Sequence, residues 1–139
     1  MRVNLRLVAV TAAWVMVLLI VPSGPAGAHS VQCNTPSVTN YALIERLSNT
    51  SYRIAGSASC ESTVDWIQID CWPVHRHSFY WHSHTGANIG DTDFGDHRVA
   101  VGWSTVSGTD GDKYKPHCDA AAFHGTTVTW ELESLPITL

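Results

Sequence analysis

Four cysteines, Cys33, Cys60, Cys71 and Cys118, all follow a segment built like an export signal, and that combination limits the fold more than any other feature. The chain opens MRVNLRLVAVTAAWVMVLLIVPSGPAGAHS: Arg2 and Arg6 precede an apolar run from Leu7 to Val21, followed by Pro22, Gly24, Pro25 and the small triplet Ala26, Gly27 and Ala28. This is the layout of a secretory signal peptide, with cleavage expected after Ala28. The apolar run approaches the length of a bilayer span, but the Pro/Gly-rich stretch and the small residues behind it favour cleavage over retention as an anchor. Residues 1–28 therefore read as signal peptide and 29–139 as a secreted domain with no membrane span of its own. About 110 residues suffice for one modest core and not for two.

In an exported domain of this size, four cysteines are expected to form two disulfides. The chain has no C-x-x-C to hold two thiolates on one turn, which argues against a zinc knuckle or a redox pair. If SYRIAGSASC and VDWIQIDC form a hairpin turning near Glu61 to Val64, Cys60 sits beside the turn and Cys71 lies roughly 20 Å further along the strand. A bridge needs Cα atoms within about 7 Å. Two pairings stay open: Cys33 with Cys71 and Cys60 with Cys118, or Cys33 with Cys60 and Cys71 with Cys118.

From residue 50 onward the apolar pattern has period two over short runs, which predicts strands. VDWIQIDCW puts Ile67, Ile69 and Cys71 on a buried face and Trp66, Gln68, Asp70 and Trp72 on the opposite, mixed face. SFYWHSH, DHRVAVGWSTV and TTVTWELESL supply three more strands, with Val99, Val101 and Trp103 sharing one face and Val128, Trp130 and Leu132 another. NYALIERLSN fits a strand or a short helix equally. GANIGDTDFGDH and SGTDGDKYKPHC read as Gly/Asp-rich loops. The expected fold is all-β: a small antiparallel β-sandwich stabilised by two disulfides.

The stretch HRHSFYWHSHTG holds His75, His77, His82 and His84. A hairpin turning over Ser78 to Trp81 would oppose His77 to His82 and His75 to His84, close enough for Zn²⁺ or Cu²⁺. It would also crowd three aromatics into a turn, where Gly, Asn, Asp and Pro are favoured. The better drawing turns between Pro73 and Ser78, leaves His75 and His77 in a loop, and puts His82 and His84 on one strand face as half of a metal site. Asp70, Asp96 or His97 would complete it.

A separate metal reading comes from processing. Cleavage after Ala28 makes His29 the amino terminus, which resembles the histidine brace of secreted copper monooxygenases acting on chitin or cellulose. That resemblance implies copper held by His29 and a second histidine among His75, His84, His97, His117 and His124. The domain is smaller than the catalytic domains of those enzymes, so the likeness stops at the terminus.

Other chemistries find less support. No G-x-S-x-G elbow is present, and GDTDFGD lacks the terminal Glu of a twelve-residue calcium loop. Beyond residue 28 the cations are Arg46, Arg53, Arg76, Arg98, Lys113 and Lys115 against all 12 acidic residues, a balance that excludes a nucleic-acid partner and disfavours an anionic membrane surface. Trp66, Gln68, Asp70 and Trp72 form the strip best suited to a ligand, with indole faces to stack on sugar rings and polar groups to direct hydrogen bonds. The same strip would equally suit a protein partner.

GSASCES and VDWIQIDC, followed by an aromatic strand and a late Cys118, resemble small secreted β-proteins of uncharacterised function from actinomycete bacteria, over about residues 50 to 130. The resemblance implies a two-disulfide β-sandwich and no catalytic residues. Secreted subtilisin inhibitors share the size and the four cysteines, but not the cysteine spacing. The expected function is that of a non-enzymatic extracellular binding or surface-associated module without a cofactor, recognising glycan or protein. The alternative is a histidine-based metal protein, extending to a copper enzyme through His29.

Overall fold

The computed structural model describes residues 31–84 and 87–139. The signal segment and His29 lie outside them. Nine strands follow in order: β1 Tyr41–Arg46, β2 Ser51–Ser59, β3 Trp66–His77, β4 Tyr80–Ser83, β5 Ile89–Phe94, β6 Arg98–Ser107, β7 Lys113–Phe123, β8 Thr127–Glu133 and β9 Ile137–Thr138. They form a sandwich of two antiparallel sheets, as expected, with disulfides Cys33–Cys60 and Cys71–Cys118. Two disulfides in so small a domain fit an oxidising, extracellular setting. Among the described residues no helix is long and apolar enough to cross a membrane.

The smaller sheet runs β1-β2-β6. The larger is built on β3 and β7, which pair from Trp66↔Phe123 to Arg76↔Lys113. The free edge of β3 is shared by β5, against Trp66 to Cys71, and β4, against Val74 to His77. The free edge of β7 is shared likewise by β8 and β9. Two prolines explain both changes of partner. Pro73 and Pro116 face each other across the central ladder, and the Pro73 carbonyl accepts from the His84 amide on the β4 side. In an antiparallel strand a residue's nitrogen and carbonyl point to the same edge. The nitrogens of Pro73 and Pro116 therefore face the outer edges, where proline has no N–H to offer a continuous neighbour.

Strict alternation fills the core. Ile67, Ile69, Cys71 and Pro73 of β3, and Tyr114, Pro116, Cys118, Ala120 and Ala122 of β7, point inward from the larger sheet. Tyr52, Ile54 and Ala58 of β2 and Val99, Val101 and Val106 of β6 meet them. The Tyr52 and Tyr114 rings touch across the interior, their centroids 4.6 Å apart. The Tyr52 hydroxyl is buried without a hydrogen-bond partner, and burial, then the neighbouring Tyr114, pushes its pKa well above the usual phenol value.

Several details differ from expectation. β2 and β3 do not form a hairpin but lie in different sheets. The open choice of pairing resolves to Cys33 with Cys60 and Cys71 with Cys118. Cys33 and Cys60 form an isolated bridge, whereas Cys71 and Cys118 are directly opposed on neighbouring strands with Cα atoms 4.0 Å apart. The segment around Leu43 is a strand whose partner, β2, settles what its short pattern left open. Both Gly/Asp-rich segments read as loops contain strand, β5 in one and the start of β7 in the other, because each pairs with the long β3. A register shift between Ile54 and Gly56 turns Trp103 out of line with Val99 and Val101, and its ring lies under the Arg53 guanidinium at 4.4 Å.

The two sheets approach closely at Gly56. A Cβ there would lie 2.5 Å from Cys71 Sγ, 2.9 Å from Cys118 Sγ and 3.1 Å from Ile69 Cδ1. The sulfurs are tethered to two central strands and cannot swing aside. Gly56→Ala is expected to cost roughly 1–3 kcal/mol through overpacking. Urea denaturation of the oxidised protein, followed by circular dichroism, measures the loss.

Candidate functional site

With one face of the larger sheet filled by the core, side chains of the other parity in β3, β5, β7 and β8 form an outer face. Registers across these strands arrange it in rows. Phe94, Trp66, Phe123 and Thr127 make the first row, then Thr92, Gln68, Ala121 and Thr129, then Gly90, Asp70, Asp119 and Glu131. Trp72, His117 and Glu133 follow. The face thus grades from aromatic through neutral hydrogen-bonding groups to carboxylate. The four residues expected to share a ligand strip, Trp66, Gln68, Asp70 and Trp72, all lie on it.

At the aromatic end, Trp66 and Phe123 stack with centroids 6.1 Å apart and an interplanar angle of 11°. Phe94 is 77 % exposed, and Trp66, Gln68, Thr92 and Phe94 line a shallow hollow of about 230 Å³. A second hollow of about 370 Å³ adjoins it, lined by Gln68, Asp70, Asp119, Thr129 and Glu131 among others. Gln68 Nε2 donates to Asp70 Oδ2 at 2.5 Å. Glycine at position 90 makes room for Asp70, since a Cβ there would fall 2.1 Å from Asp70 Oδ1.

His117 is the most constrained group on the face. Its Nδ1 lies 2.8 Å from Glu133 Oε1 and its Nε2 lies 3.1 Å from Asp119 Oδ1. Trp72 packs on the ring with centroids 4.8 Å apart. Glu133 is held by Lys115 Nζ as well, at 2.5 Å. These hydrogen bonds, Lys115 first and His117 next, lower the Glu133 pKa below the ordinary carboxylate range. Among the described residues, His117, Asp119 and Glu131 are the only group whose ligand atoms, one from each, lie within 4.8 Å of one another.

The histidine stretch folds differently from either drawing. β3 continues through His77, Ser78 takes a positive φ of 75°, and the hairpin closes on His77↔Tyr80. His75 and His77 are therefore strand residues, not loop residues, because pairing with both β4 and β7 holds β3 extended. His75, not Asp70, Asp96 or His97, is the neighbour of His82 and His84. Its ring centroid lies 5.9 Å from that of His82 and 5.5 Å from that of His84, and its buried Nδ1 has no hydrogen-bond partner among the described residues. Among the described residues, His82 and His84 do not join a three-ligand group that meets the 4.8 Å separation.

A cleft of about 520 Å³ beside the Cys33–Cys60 disulfide lies at the edge of the smaller sheet. Its Glu61 carboxylate already accepts from the Ser37 and Thr35 hydroxyls, which lower its pKa. No family model matches the chain, and no curated protein or solved structure matches it either.

Phe94, Phe123, Glu131 and Glu133 are not singled out by the sequence, and His117 stands there only as one candidate second histidine for copper; with Asp119 they are joined by register across strands. The alternations H-x-D and E-x-E hinted that each pair shares a face, but nothing local aligned them. Their arrangement has a measurable cost. Asp119 is directly opposed by Asp70 on one side and Glu131 on the other, and directly opposed like charges destabilise a sheet. Among the described residues no Lys or Arg pairs with any of the three. Glu131→Gln is expected to raise the unfolding free energy by up to about 1 kcal/mol at low ionic strength. The gain should shrink in high salt, and urea denaturation at two salt concentrations would show both effects.

Proposed function

We propose that this is a secreted, non-enzymatic binding module that recognises a glycan on the outer face of its larger sheet. The observation that carries the reading is the uncovered aromatic row Phe94, Trp66 and Phe123 lying directly beside the amide and hydroxyls of Gln68, Thr92 and Thr129. Aromatic faces accept the C–H surfaces of a pyranose ring, and the adjacent polar row directs its hydroxyls. Carboxylates beyond that row are strong acceptors for further sugar O–H groups. The surface is shallow and follows rigid strands, which suits a polymer lying along it better than a reacting group that must be enclosed.

Trp66 centres the aromatic row, while Trp72 is engaged by His117. The sites therefore differ in expected importance. Binding to soluble polysaccharides, screened on a glycan array and quantified by calorimetry, should weaken at least tenfold in Trp66→Ala, equivalent to about 1.4 kcal/mol. Trp103→Ala, on the smaller sheet, should leave affinity unchanged. Absence of glycan binding by the wild-type protein, or full affinity in Trp66→Ala, would overturn the assignment.

A further inference from the structure

We infer that His117, Asp119 and Glu131 form a site for a borderline transition-metal dication of the Zn²⁺ type. The site adjoins the polar row of the glycan reading but does not rest on that reading, and it is separate from the histidines of the β3–β4 hairpin. Three donors of two kinds, one imidazole nitrogen and two carboxylate oxygens, converge from the central strand β7 and its neighbour β8. Bond lengths of about 2.0–2.1 Å to nitrogen and oxygen put tetrahedral donors roughly 3.3 Å apart. His117 Nε2 and Asp119 Oδ1 are already 3.1 Å apart, and the full set falls within reach of small side-chain rotations.

The imidazole is oriented from outside the triad. Glu133 holds Nδ1 and is itself fixed by Lys115, while Trp72 covers the ring. A carboxylate on the far nitrogen of a metal-binding histidine sets the tautomer and presents the other nitrogen to the ion. Both ring nitrogens of His117 face carboxylate oxygens. That arrangement is satisfied by a proton on each nitrogen, or by one proton at Glu133 and a cation on Nε2.

The surroundings supply further reasons for a cation. Asp70 faces Asp119 from β3, so a dication would relieve repulsion along the whole row as well as bind its ligands. The hollow lined by Asp119 and Glu131 leaves both carboxylates open to an incoming ion. Imidazole among the ligands selects zinc-like ions over calcium and magnesium, which take oxygen sets.

The test is calorimetric titration of metal-stripped, untagged protein with Zn²⁺ and, separately, Ca²⁺, without sugar present. One-to-one Zn²⁺ binding at least tenfold tighter than Ca²⁺ is expected. His117→Ala and Glu131→Gln should each weaken it at least tenfold with native circular dichroism retained, and a His82→Ala/His84→Ala variant should match the wild type. All variants share one amino terminus, so any contribution from that end cancels. The inference fails if the wild type does not bind Zn²⁺, if Ca²⁺ binds as tightly, or if loss follows the hairpin histidines and not His117. A folded Glu131→Gln variant with unchanged Zn²⁺ affinity also overturns it.

Discussion

The contact between Gly56 and the Cys71–Cys118 disulfide sets the spacing on which the rest of the sandwich depends. The disulfide bridges neighbouring strands within one sheet, yet its sulfurs press on the backbone of the other. It thus locks the register of β3 against β7 while also acting as a packing element of the core. Tyr52 against Tyr114 closes the interior further along the same interface. Small residues at the contact, with Ala58, Ala120 and Ala122 nearby, let two twisted sheets approach where bulkier side chains would hold them apart.

Locking β3 to β7 also determines the outer face. Every inward apolar side chain on these strands places its neighbours outward, so the register that aligns Cys71 with Cys118 also aligns Asp70 with Asp119 and Trp72 with His117. The carboxylate row is thus a direct product of the disulfide register. Charge repulsion in that row works against folding, and the core tolerates it because the cost is small beside the apolar surface buried on the opposite side. A surface that retains such a cost is the kind of place where stability and binding pull in different directions.

Legibility in the sequence followed the range of the interactions. The two faces of β3 could be read from parity alone, since Ile67, Ile69 and Cys71 alternate with Trp66, Gln68 and Asp70 without interruption. The Gly/Asp-rich segment around Gly90 carries little strand propensity, and β5 forms there because β3 offers it an edge and because glycine fits beside Asp70. Poor turn propensity of aromatics places His75 in a loop on the sequence alone, but a two-residue turn at Ser78 and Phe79 leaves Tyr80 and Trp81 in the strand. The grouping of His117, Asp119 and Glu131 is hidden for a different reason. His117 and Asp119 share a face of β7 by parity, but Glu131 joins them only through pairing between β7 and β8, a relation that no local pattern encodes.

The facing prolines give the larger sheet an internal seam. Because Pro73 and Pro116 interrupt the outer ladders at the same level, only β3 and β7 continue across it, with β4 and β9 taking up the two edges beyond. Phe79 and Tyr80 at the tip of the β3–β4 hairpin are 89 % and 75 % exposed, whereas at its base His75 and His84 pack on the core ring of Tyr114 and Trp81 lies against Lys115. The tip can therefore vary while the base stays in register, and a change at His75 or His84 reaches Tyr114 and through it Tyr52, so the seam divides the ladders without dividing the core.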